Sequence, residues 1–522
     1  MASSLVFRLH DRSPELLREV LLERGWEEYD ERKQEEDDWN LYWRSSAFHS
    51  SEYHNLLPWQ RLNHHPKTFG ITRKDCLARN LRRMRTTFGS SLYDFSPTAF
   101  NLPNDYTRFL AEYDKLRLYR GHPVYWICKP VDLSRGRGIF IFEGIKDLVY
   151  DCPMIVQRYI SNPLLISGYK FDLRIYVCVK SFHPLTVYIH QEGLVRFATE
   201  KYNLSSLQNL YSHLTNTSIN RFGPFYKTQK GRVGQGCKWT MSKFRHFLHS
   251  LDINELLLWQ RINNIITLTL LTIASSVPSC PNCLELFGFD ILVDIKFKPW
   301  LLEVNYSPAL TLDCQADNLV KKGLISDLID LMNYTSIDRL RDRAYQKHKH
   351  LCFSNEITEG EKEGFRGSAF CLLLVNQHLA ELVSAFLLGP VLHGLGMLWL
   401  GPSSAIFWVD AWSSLCGSQK PERIQVGGST AQTGKDIPPV RVGNFIRTFP
   451  FNAATLKASQ HKLDVKKITQ ELQQLTGLLA SGQSHDRLCK GDKDTDDDDC
   501  FDSLLWGPKD PPLLSQFLMN LE

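Results

Sequence analysis

The chain has 522 residues, 43% of them hydrophobic, which is enough for two or three domains and a sizeable core. Thirteen cysteines, odd in number and without a framework spacing, exclude a disulfide scaffold and fit reduced thiols inside a cell. The formal net charge of +4 is too small to select a partner class, so the local distribution of charge carries the information.

The opening reads as a helix, with Ser13 as cap, Pro14 at the first helical position, Leu16, Leu17, Val20 and Leu21 on one face, and Gly25 as a stop. Arg8, Asp11, Arg12, Glu15 and Arg18 leave no secretory apolar region there, and a cytosolic address is expected. Residues 1–65 are predicted to be a helical extension. The run "GITRKDCLARNLRRMR" (Gly70–Arg85) follows, basic except for Asp75, and suits either an acidic partner or a solvated helix face. It lacks interleaved stacking aromatics, so no nucleic-acid partner is expected.

Strand-like runs "PVYWICKPV", "RGIFIFEG", "PMIVQRYI" and "KFDLRIYVCV" succeed one another between Pro123 and Val179. A hairpin-like pair, "LTVYIHQ" and "LVRFATE", is split by Glu192-Gly193. Helical patterns fill Met241–Thr272, and two further strands, "LFGFDILVDI" and "PWLLEVN", complete the region. Strands with flanking helices predict an α+β or mixed α/β class. The expected divisions are 66–122 and 123–345 for the two parts of this domain. One Cys-x-x-Cys, Cys280–Cys283, has no second pair to close a zinc site.

Residues 346–522 change character and are predicted to be a low-complexity, mostly disordered tail, with one short helix near Val465–Leu479. An apolar segment at 369–412 includes Leu382–Leu400, 19 residues without a formal charge. That length could span a bilayer. Pro390, His393, three glycines and the lack of strong basic flanks argue against it, and no membrane partner is expected.

Three stretches carry charge where an apolar strand is expected. In "FKPWLLEVNYSPAL", a period of two puts Glu303 and Asn305 on one side and Leu302 and Val304 on the other. Asp290 sits inside the preceding apolar run. Two carboxylates and an amide oxygen make a hard oxygen set suited to Mg²⁺; the alternative is a buried lysine or arginine partner. In "YKFDLRIYV", Lys170, Asp172 and Arg174 share one face, as ribose and phosphate contacts would, or as a salt-bridge row on an edge strand. In "WICKPVDLSRGRGIFIF", Lys129 ends a strand, and Gly136 and Gly138 bracket Arg137 in a turn able to cover phosphates. "VQRYI" then offers Gln157 and exposed backbone before a loop as a base-edge reader.

In this order the segments resemble the ATP-grasp ligases, and among them the tubulin-tyrosine-ligase-like family. The phrases that carry the resemblance are "CKP…SRGRGIFIF", "VQRYI", "KFDLRIYV", "HLTNTSIN", "FGFDILVD" and "LLEVNYSPAL", with "FGITRKDCLARNL" and "FSPTAFNLPNDY" upstream. They cover roughly Pro66–Tyr334 and are most similar to the polyglutamylase branch.

The resemblance implies an ATP-grasp core of mixed and antiparallel sheets flanked by helices. It implies ATP contacts at Lys129, Arg135, Gly136, Gln157, Arg158, Tyr159, Ile160, Lys170, Phe171, Asp172, Thr215 and Asn216. Asp290, Glu303 and Asn305 match its Mg²⁺ ligands, with two ions expected. Arg196, Thr217, Ser218, Lys238 and Lys321 match its amino-acid site, and Arg135 and Tyr306 face the protein acceptor. Arg174 and Arg196 are the expected catalytic arginines.

The implied reaction is ATP-dependent ligation of free L-glutamate to glutamate side chains of the tubulin C-terminal tail through an acylphosphate. The enzyme is expected to be monomeric, cytoplasmic and cytoskeletal, with a cilium, flagellum or basal body as a further address. Glycine addition and a non-catalytic microtubule-binding role are the alternatives. Tyr306 stands where some relatives carry histidine, which leaves acceptor preference open. The Arg79–Arg85 cluster is the expected steering surface for an acidic tail.

Overall fold

The structure, a computed structural model, describes residues 4–335 apart from 11–12, 121–122, 225–237, 252 and 254, together with 338, 438–460 and 463–481. The apolar segment at 369–412 lies outside the described residues. Four short strands open the chain: β1 (Val6–Leu9), β2 (Glu27–Glu28), β3 (Leu41–Trp43) and β4 (Arg61–Leu62). They pair in parallel in the order β2-β1-β3-β4.

Helix α1 (Glu15–Glu23) buries Leu16, Leu17, Val20 and Leu21 as the spacing predicts, and Gly25 follows its end. A short α2 (Ser50–His54) precedes β4. The helical extension predicted for 1–65 is thus corrected to a small parallel sheet with α1 against it. Strands of two to four residues carry too little alternation to be read from pattern, and their partners are distant in sequence.

Next come α3 (Phe69–Thr72), α4 (Lys74–Phe88), β5 (Ala99–Leu102) and α5 (Tyr106–Arg120). β6 (Trp126–Pro130), β7 (Phe140–Phe142) and β8 (Met154–Arg158) join β5 in an antiparallel sheet ordered β5-β8-β6-β7. The boundary predicted at 122/123 therefore runs through one sheet. Phe100, Phe109, Trp126 and Phe142 form the core of this unit.

Three arginines of the predicted steering cluster, Arg82, Arg83 and Arg85, are internal ties. Arg82 grips Asp105 and the Ala99 carbonyl, Arg83 donates to the Thr272 carbonyl, and Arg85 donates to the carbonyls of Tyr93 and Ser96. Arg79 pairs with Asp75 one turn away. The basic run fastens α4 to its neighbours.

The large sheet holds β9 (Leu165–Ile166), β10 (Tyr169–Phe182), β11 (Leu185–His190), β12 (Leu194–Phe197), β13 (Lys238–Thr240), β14 (Glu285–Val293) and β15 (Pro299–Asn305). β10 is its axis, antiparallel to β12 and β11 along one edge and to β14 along the other. Helices α6 (Leu210–His213), α7 (Thr217–Asn220), α8 (Met241–Ser250), α9 (Glu255–Leu271) and α10 (Gln315–Met332) surround it.

Alternation along β10 sorts the faces. Phe171, Leu173, Ile175, Val177 and Val179 enter the main core with α8 and α9. On the other face Tyr176 and Cys178 pack with α1 and α10, while Lys170, Asp172 and Arg174 lie on the same side earlier in the strand. The segment 255–276 is apolar and long enough to cross a bilayer by composition, and it is mostly buried as the helix of this core.

Within the predicted tail, the helix near Val465–Leu479 is present as α12 (Val465–Ala480). It is joined by elements that the reading of 346–522 as mostly disordered omitted: β16 (Arg441–Val442), β17 (Phe445–Phe449) and α11 (Ala453–Gln460). β17 pairs with β11, extending the large sheet, and Phe449, Phe451, Ile468 and Leu472 enter its main core.

Gly443 in the β16–β17 turn has φ of +54°, and a Cβ there would fall 2.1 Å from Oδ1 of Asp327 on α10. Gly443→Ala is therefore expected to cost about 2–3 kcal/mol in urea unfolding. Unchanged stability would mean that this turn does not pack against α10.

Candidate active site

Between the β5–β8 sheet and the large sheet lies a cavity of about 430 Å³. Its wall on the first sheet carries Lys129 and Gln157, whose side chains meet at 3.0 Å, followed by Arg158, Tyr159 and Ile160. The backbone N–H groups of Arg158 and Tyr159 are already bonded, to the Thr98 and Tyr125 carbonyls. That corrects the expectation of exposed backbone at those two residues.

The covering turn holds Arg135 at φ +61° and Gly136 at φ +77°. A Cβ on Gly136 would strike Ile219 at 2.0 Å, and the Ser218 hydroxyl donates to the Arg135 carbonyl at 3.0 Å. Helix α7 thus packs directly behind the glycine turn. Only glycine allows both the backbone conformation and that approach.

The opposite wall is a row of charges set by strand register. Across neighbouring strands, Lys238 pairs with Arg196, Arg196 with Asp172, Arg174 with Asp290, and Asp290 with Glu303. Arg196 grips Asp172 in two bonds of 2.8 and 2.5 Å and reaches Asp290 at 2.8 Å. Arg174 grips Asp290 at 2.6 and 3.1 Å. Of the two possible partners for these carboxylates, a metal ion or a buried cation, Arg174 and Arg196 supply the second to Asp290, and they hold it well below the usual carboxylate range against the pull of desolvation.

Glu303 differs. Burial and the neighbouring Asp290 push its carboxyl up, opposed by Lys129 and Lys74. A one-residue bulge explains its aim: Ile291 pairs with Leu301 and Asp290 with Glu303, leaving Leu302 as the extra residue. Leu301 and Val304 enter the core, whereas Leu302 and Glu303 line the cavity. The predicted facing of Leu302 away from Glu303 is corrected by that bulge.

Asn305 donates its amide to the Gly288 carbonyl at 3.1 Å and to Asp290 at 3.3 Å, which leaves the amide oxygen for a cation. Two carboxylates, one of them short of positive charge, and an amide oxygen fit a Mg²⁺ ion.

Lys170 is buried beside Tyr159, 2.8 Å from its hydroxyl, and burial lowers its ammonium to about 7. The Tyr159 hydroxyl lies 3.0 Å from Nδ1 of His213, whose Nε2 faces the Ser206 carbonyl. Thr215 and Asn216 line the same end of the cavity. Tyr306 also lines the cavity, its ring stacked on His64 at 3.9 Å.

Fifteen of the expected site residues therefore converge on one cavity: Lys129, Arg135, Gly136, Gln157, Arg158, Tyr159, Ile160, Lys170, Asp172, Thr215, Asn216, Asp290, Glu303, Asn305 and Tyr306. Arg174 and Arg196 lie beneath them. Phe171 does not join; its ring packs against Phe197 and Phe244 on the other face of the sheet. Thr217 and Ser218 sit on α7, outside the lining.

Lys238 and Lys321 are buried outside the lining, each 2.8 Å from Asp317, with Lys238 opposite Arg196 in the strand register. Lys74 and His213 line the cavity and were missed as site residues. His213 opens the quoted phrase "HLTNTSIN", and Lys74 is concealed within the basic run.

These features match a known class of protein. A profile described as "Tubulin-tyrosine ligase family" matches residues 50–341, and the chain belongs to that family. It is 46% identical over 502 residues to the human protein named "Probable tubulin polyglutamylase TTLL2", covering 90% of this chain and 84% of that one. The mouse protein of the same name is 45% identical over 500 residues, covering 90% and 92%. Mouse "Tubulin polyglutamylase TTLL5" is 36% identical over 346 residues, covering 64% of this chain and 25% of the relative.

Proposed function

We propose that the protein is an ATP- and Mg²⁺-dependent ligase that joins free L-glutamate to glutamate side chains of the tubulin C-terminal tail. The observation that carries this reading is the facing of Lys129 and Lys170 by Asp290, Glu303 and Asn305 across one cavity. The relatives' names, tubulin polyglutamylases, support glutamate over glycine and tubulin as acceptor. A cytoplasmic or cytoskeletal site of action follows from that acceptor.

Lys129, Lys170 and the Arg135–Gly136 turn hold the phosphates, and residues 157–160 hold the base. Asp290, Glu303 and Asn305 hold Mg²⁺, two ions in this reading, which when bound supply positive charge to phosphate oxygens. The acceptor carboxylate attacks the γ-phosphorus, the bond to the β-phosphate oxygen breaks, and ADP leaves. The glutamate amine then attacks the acylphosphate carbon, phosphate departs, the nitrogen loses a proton, and an isopeptide bond remains. Arg174 steadies the transferring phosphoryl group. Arg196, Thr217, Ser218, Lys238 and Lys321 bind the amino acid, and Arg135 and Tyr306 meet the acceptor. Charge is offset by fixed groups rather than by a covalent enzyme intermediate.

The test is labelled glutamate or glycine offered to the full chain with ATP, Mg²⁺ and tubulin. Glutamate incorporation with one ADP released per residue is expected, and none on tubulin stripped of its acidic tails. Glycine incorporation, or glutamate transfer without ATP, overturns the reading.

A pH dependence follows from Lys170. Its ammonium is charged below about 7 and neutral above, so phosphate attraction fades as pH rises. ATP affinity measured calorimetrically is expected to weaken between pH 6 and 8.5 in the unaltered protein. Lys170→Arg, charged throughout, should flatten that profile; an equally steep profile in the variant would remove Lys170 from the phosphate contacts.

A further inference from the structure

The Cys-x-x-Cys turn is a sequence feature that the ligase site leaves unused. Cys280, Pro281, Asn282 and Cys283 lead from the buried helix α9 into β14, closed by a bond from the Cys283 N–H to the Cys280 carbonyl at 3.2 Å. The turn is pinned on both sides. The Leu62 N–H of β4 donates to the Asn282 carbonyl, the Leu284 N–H donates back to Leu62, and the Asn282 amide reaches the Leu57 carbonyl at 2.9 Å.

Held this way, the two sulfur atoms stand 3.0 Å apart. They are unequal. Cys280 is partly exposed, whereas Cys283 is 2% exposed and packs among Val6, Trp39, Tyr42 and Leu62. Their hydrogen bond draws the Cys280 thiol below its ordinary range and, with burial, pushes Cys283 up. An accessible, more acidic thiol beside a sheltered one is the asymmetry that thiol–disulfide exchange uses, one sulfur attacking and the other resolving.

We propose that Cys280 and Cys283 form a reversible dithiol–disulfide site that exchanges with small disulfides of the glutathione class. The Cys280 thiolate attacks one sulfur of glutathione disulfide, that S–S bond breaks, and a glutathione thiolate leaves and takes a proton. Cys283 gives up its proton, attacks the Cys280 sulfur and expels the second glutathione. Two protein thiols are oxidised, and one glutathione disulfide is reduced to two glutathiones. The sulfur atoms need to close by only about 1 Å to reach bonding distance, so the anchors at Leu57 and Leu62 stay in place. The bridge ties the root of β14, seven residues before Asp290.

The test equilibrates the full chain in graded ratios of reduced to oxidised glutathione, quenches with acid, alkylates with N-ethylmaleimide and maps peptides by mass spectrometry. The peptide holding both cysteines is expected to lose two hydrogens and both alkylation sites together, in one two-electron transition that dithiothreitol reverses. In Cys283→Ser, a glutathione adduct on Cys280 should become the main oxidised species. In Cys280→Ser, Cys283 should stay reduced. Two freely alkylated thiols at the most oxidising ratio, or independent adducts on both, overturn the proposal. The unaltered protein distinguishes these outcomes even if a variant fails to fold.

Discussion

Glu303→Gln is expected to lower glutamate transfer about 100-fold or more while leaving the melting temperature unchanged or higher. The two halves of that expectation have one cause. Glu303 is buried beside Asp290, and burial with like-charge repulsion holds its carboxyl above the usual range. Its charged form therefore works against folding at neutral pH. The sign follows from linkage: a raised folded value stabilises below the unfolded value, and that gain is lost as pH rises through the folded one. Glutamine removes the penalty and with it the charge that the proposed Mg²⁺ site uses. Turnover from labelled glutamate and unfolding by calorimetry separate the two effects. Transfer within severalfold of the unaltered protein would remove Glu303 from the proposed Mg²⁺ site.

Asp290→Asn should behave oppositely in stability, with a loss of about 3–5 kcal/mol. Asp290 is the shared anion of Arg174 and Arg196, so neutralising it takes from the buried Arg174 guanidinium its carboxylate and leaves Arg196 with Asp172 alone. Their pull holds its carboxyl low, so its contribution is present above about pH 4 and is lost on acidification below that. Urea unfolding at pH 7 should show the deficit, and at pH 3 the gap between the two proteins should narrow. Equal stability at pH 7 would mean that the arginines find other partners.

The charged strand positions were legible because a carboxylate or lysine inside an apolar run demands a physical reason. Alternation alone puts Lys170, Asp172 and Arg174 on one face, and strand register places that face at the cavity. The bulge at Leu302 was not legible, because one extra residue leaves the composition of the strand unaltered while re-aiming its side chains. Nor were the parallel strands of the first 65 residues, each too short to show a period. The arginines of α4 misled for a different reason: pattern reports a charge but not the carbonyl that it meets. Arg82 and Arg83 find theirs 17 and 189 residues away.

Pairing of β17 with β11 has a bearing on synthesis. While the chain leaves the ribosome, β11 emerges long before Phe445, and at 5–20 residues per second the interval is on the order of ten seconds or more. Through that interval the outer edge of β11 is an open template for another strand, and Asp290, Glu303 and Asn305 of the cavity are themselves made only within it. Slow codons between the two strands would lengthen that window, and holding chaperones would be needed most within it.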